Sequence, residues 1–114
     1  MKIVNLKTFL DLPDGTLFSK YEPHCFHGFS IKTESIKDLD DFRYHDLIGN
    51  IKDEGSDDFA NKCELAEKGE SIKLYFNCEE RDGLYKFDQL FAIYEKDDVV
   101  DLIARLNMAC YQGM

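Results

Sequence analysis

Leu90-Phe91-Ala92-Ile93-Tyr94-Glu95-Lys96-Asp97-Asp98-Val99-Val100-Asp101-Leu102-Ile103-Ala104-Arg105-Leu106 is the stretch that decides the fold. Its first five residues are apolar at both alternating positions, as in a strand covered on both sides. Asp97 then suits a helix N-cap. Val99, Val100, Leu102, Ile103, Leu106 and Cys110 follow a 3.6-residue period and make one apolar stripe. A central strand feeding an amphipathic helix requires a sheet for that strand to join.

The sheet is sought on either side. Ile72, Leu74, Phe76 and Cys78 alternate with Ser71, Lys73, Tyr75 and Asn77, which predicts a half-buried strand. Its face is the one the stripe of Leu102, Ile103 and Leu106 would cover. Arg81-Asp82-Gly83 reads as a turn. Near the start, Asn5 can cap a short helix over residues 6–12, with Leu6, Phe9 and Leu10 on one side. Pro13-Asp14-Gly15 is a turn sequence. Residues 16–21 and 29–33 read as strands, the first ended by Pro23. Residues 38–54 fit helix and strand about equally. Ser56 can cap a helix over residues 57–68, with Gly69 at its stop. The order predicts one α+β domain over residues 1–114. It would be a largely antiparallel sheet of four to five strands, with the C-terminal amphipathic helix and one or two further short helices packed on it.

Composition bounds the class. The chain has 114 residues, is 44% hydrophobic and carries nine Phe and six Tyr, enough for a core. No apolar run approaches the roughly 20 residues of a membrane span. Lys2 has no apolar stretch behind it of the kind a secretory leader needs. Cys25, Cys63, Cys78 and Cys110 are therefore expected to be free thiols in a cytoplasmic protein. The 23 acids against 14 Lys plus Arg leave a formal net charge of −9. Such a surface repels phosphate backbones, which excludes direct nucleic-acid binding, and attracts basic protein surfaces.

Two stretches carry a resemblance: Leu12-Pro13-Asp14-Gly15-Thr16-Leu17-Phe18-Ser19-Lys20-Tyr21, and Gln89 to Val99 with Leu102-Ile103 and Arg105-Leu106. They resemble small accessory proteins of tailed phages and prophages. The resemblance covers about a quarter of the chain and implies a phage accessory role with no transferable activity.

Two groups of residues could do chemistry. Residues 38–58 hold Asp38, Asp40, Asp41, Asp46, Asp53, Glu54, Asp57 and Asp58 against Arg43 and Lys52. With Phe42 and Tyr44 as anchors, this segment would form a carboxylate face imitating the charge of DNA, about one per 1.7 Å of axis. The expected function is a non-enzymatic inhibitor or modulator, of the anti-defence or anti-CRISPR kind, docking on a basic, nucleic-acid-binding surface of a host protein. The alternative is a small enzyme or metal-binding module centred on His24, Cys25 and His27, with His45 as a remote base. Its spacing lacks a C-x₂-C pair, so no metal or cofactor is expected. No glycine-rich phosphate loop or nucleophile elbow occurs.

Overall fold

A computed structural model of the chain describes residues 1–112. The chain opens with strand β1 (Lys2–Asn5) and helix α1 (Leu6–Asp11), then β2 (Leu17–Glu22) and the long β3 (Cys25–Ile36). A 3-10 turn, Lys37–Leu39, leads into β4 (Asp41–Asp46) and β5 (Asn50–Ile51). Helix α2 (Ser56–Glu67), β6 (Leu74–Tyr75), β7 (Glu79–Arg81), β8 (Leu90–Ile93) and helix α3 (Lys96–Gln112) complete it. The fold is α+β. Six strands form one antiparallel sheet in the order β1-β8-β2-β3-β4-β7, and β5 and β6 pair as a separate ribbon.

Local chemistry explains most boundaries. Asn5 caps α1: its side-chain oxygen accepts from the Thr8 amide at 2.9 Å. After Pro13-Asp14, Gly15 sits at φ 92°, the left-handed backbone that the turn into β2 requires. Pro23-His24 is the two-residue turn joining β2 to β3, with Glu22 opposite Cys25. Ahead of α2, Asp58 accepts from the Glu54 amide at 2.8 Å and Asp53 from the Gly55 amide at 2.9 Å. Asp98 likewise accepts from the Glu95 amide, at 2.9 Å, where α3 starts.

The core is a phenylalanine cluster beneath the six-residue α1. Phe9 stacks on Phe91 with centroids 4.1 Å apart and meets Phe18 and Phe42 edge-on at 4.8 and 4.9 Å. Leu6, Leu10 and Ile93 close the cluster. Strand alternation then assigns the faces. Phe18, Ser30, Lys32, Phe42 and Tyr44 lie on the α1 side. Leu17, Phe29, Ile31 and His45 lie on the opposite side, where Leu17 and His45 both stand across from Ile31.

Three expectations need correction. The sheet has six strands plus a two-stranded ribbon, rather than four to five strands. The run from Ile72 to Cys78 is not a half-buried strand of the main sheet: only Leu74–Tyr75 pairs, in the ribbon, and Leu74 and Phe76 are exposed. The stripe of α3 therefore has no such surface to pack on, and Ile103 and Leu106 remain 52% and 67% exposed. Gly49 helps explain why the ribbon stands where it does. A Cβ there would come within 2.5 Å of the Tyr75 carbonyl oxygen, so only glycine permits this approach of the two backbones.

Candidate functional site

The acidic segment is not one face. Asp38 and Asp40 are exposed at the turn before β4, and Asp46 ends that strand, about 20 Å further along by strand rise. Asp53, Glu54 and Asp57 are exposed around the start of α2, where Asp58 is half-buried and pairs with Lys62 at 3.1 Å. Asp46 accepts from the Ser30 hydroxyl at 2.7 Å.

Asp41 and Phe42 do not belong to a contact surface. Each is 1% exposed. Phe42 is part of the core, and Asp41 accepts from Arg81 and from the amides of Phe42 and Gly83, at 2.9 and 3.0 Å. Burial pushes the Asp41 carboxyl up, but these hydrogen bonds outweigh it and hold it below the usual carboxylate range. Tyr44 is half-buried on the core side and its hydroxyl bonds Glu80 at 3.0 Å. Burial, then that carboxylate, raises its pKa. A partner could reach its rim only.

The structure brings together an acidic surface the segment did not include. From Asp53 to Glu70 the chain carries seven acids against Lys62 and Lys68. Helix α2 buries no residue, so Glu64, Glu67 and Glu70 join Asp57 on an exposed, strongly negative element. Counting charge across residues 53–70 instead of 38–58 would have found it.

His24, Cys25 and His27 sit at the exposed tip of the β2–β3 hairpin. His27 stands 3.7 Å from Glu22. His45 is remote, on β4 beside the sheet's edge strand β7, opposite Glu79. Among the described residues no group of three His, Cys, Asp or Glu is placed to hold a metal ion. All four cysteines are free thiols. Among the same residues no helix is long and apolar enough to cross a membrane.

An apolar concave feature lies elsewhere. Between the uncovered sheet face and α3 lies an open cleft of about 680 Å³. Leu17, Phe29, Ile31 and Leu47 form one wall, and Val99, Leu102, Ile103 and Leu106 the other. Tyr94 packs edge-on against Phe29 at 5.1 Å, and its hydroxyl meets that of Ser19 at 2.8 Å. Lys2, Glu95 and Lys96 contribute the charged part of the lining. No protein-family model, curated protein or solved structure matches this chain.

Proposed function

We propose that this chain is a small, non-enzymatic binding protein that docks on a basic protein surface and blocks or modulates it. The observation that carries the reading is α2, an acidic helix with no buried residue. A helix that contributes nothing to the core while displaying Asp57, Glu64 and Glu67 is spent on the surface. The carboxylates of residues 53–70 lie within a few tens of ångströms, a density comparable to the phosphates of one nucleic-acid strand. Basic grooves that bind nucleic acid are the surfaces such a helix complements, which fits a phage-type inhibitor of a host nucleic-acid-binding protein. Asp38, Asp40 and Asp46 extend the negative field and steer encounter.

The test uses a variant carrying Asp57→Asn, Glu64→Gln, Glu67→Gln and Glu70→Gln. Asp53 and Asp58 stay, because they hold the backbone before α2. Partners are first identified by pull-down and mass spectrometry, then measured by surface plasmon resonance. Association should slow steeply with salt, compete with nucleic acid and drop at least tenfold in the variant. A folded variant that binds with full affinity at every salt concentration would make α2 a solubilising surface and end the proposal.

A further inference from the structure

The cleft under α3 has a wall chemistry and a charge of its own. Its volume of about 680 Å³ falls inside the range of small-molecule sites, roughly 300–1,000 Å³, and its walls are almost wholly aliphatic and aromatic. Its charged lining is confined to Lys2, Glu95 and Lys96, at the end where β1 begins and α3 starts. Glu95 is already engaged by the N-terminal amine at 3.0 Å. Among the described residues Lys2 and Lys96 take part in no ion pair. By helical periodicity, Asp97 and Asp101 project from the side of α3 opposite Val99, Ile103 and Leu106, whereas Lys96 stands near the stripe. In a chain of net charge −9, this apolar cleft thus ends in cationic groups that are unpaired among the described residues.

We infer that this cleft binds a long-chain fatty acid, its hydrocarbon chain lying between the sheet face and the α3 stripe and its carboxylate meeting Lys2 and Lys96. Every methylene of the chain that is buried adds to the hydrophobic gain, and Ile103 and Leu106 leave water at the same time. The charges decide against two other occupants. A basic amphipathic helix would bring cations to Lys2 and Lys96. A second copy would bring another net charge of −9 against this one.

The experiment is calorimetric titration of the full chain with hexadecanoic acid below its micelle concentration. One molecule should bind per chain. Lys2→Gln and Lys96→Gln should each weaken the acid about fivefold, the size of one exposed charge contact, and leave hexadecan-1-ol unaffected. Ile103→Asp, at a half-exposed position, should abolish binding of both while circular dichroism stays unchanged. The proposal is overturned if uptake is not saturable, or if the lysine variants bind the acid as well as the parent does. Sedimentation as a dimer that excludes the acid would assign the cleft to a second copy. Binding only to vesicles of anionic lipid would assign it to a membrane surface.

Discussion

Asp41 shows how one residue can look functional in sequence and be structural in space. It lies among acids, beside Asp40 and two before Arg43, and charge density alone puts it on a surface. Yet it begins the strand whose next residue is the core Phe42, it is itself 1% exposed on the opposite face, and a carboxylate buried there needs partners. Arg81 and two backbone amides supply them. Because the folded carboxyl titrates below its unfolded value, near 3.9, the site stabilises the fold above that pH. The contribution is lost as pH falls through the lower, folded value. Asp41→Asn should therefore cost roughly 1–3 kcal/mol at pH 7, through donors left poorly matched. The gap between variant and parent should close below about pH 4. Urea denaturation from pH 7 to 3 measures both. A gap that is constant with pH would show that the charge is irrelevant.

At the scale of elements, periodicity fixes a face but not what covers it. The sequence placed α1, the β2 turn, β8 and α3 correctly because each carries its own marker: the Asn5 cap, Pro13-Asp14-Gly15, an apolar run, a 3.6-residue stripe. Strand β1 had no marker, since Lys2–Asn5 is too short to show a period and is held by pairing with β8. The alternation over 72–78 misled for the opposite reason: Leu74 and Phe76 have a face, and nothing lies over it. Phe42 and Tyr44 also alternate, a period-2 cue for a core strand that is passed over because the surrounding acids suggest surface anchors. The same distinction ranks the helices. Phe9 is completely buried among three other rings, so Phe9→Ala should cost about 3–5 kcal/mol. Leu106 has little packing to lose, and Leu106→Ala should stay within about 0.5 kcal/mol. Thermal melts should then separate the two by well over 10 °C, using the 4–8 °C per kcal/mol of small domains. Equal losses would mean that α3 closes onto the sheet in solution.

The whole molecule is larger than its chain length demands. A compact 114-residue domain has a radius of gyration near 13 Å, whereas the Cα atoms here give 16.5 Å over extents of 44 × 35 × 25 Å. Its accessible surface, 8324 Å², likewise exceeds the roughly 6,500 Å² usual for a 13.3 kDa monomer. The excess has a definite location. One aromatic core holds β1, β2, β3, β4, β8 and α1 together, while α2, the β5–β6 ribbon and α3 stand outside it with apolar and acidic groups in water. Repulsion within a net charge of −9 favours that spread, and salt should weaken it. Local stability should follow the same division, because opening free energy tracks buried apolar contact. Amides of β2, β3 and β8 should exchange only through global unfolding, and those of α2 and α3 orders of magnitude faster. Hydrogen exchange read by mass spectrometry or NMR distinguishes these groups directly. Small-angle scattering at low salt should give a radius well above 13 Å. A radius near 13 Å, with α3 as protected as β8, would show that the helix seats on the sheet and that the cleft is closed in the free protein.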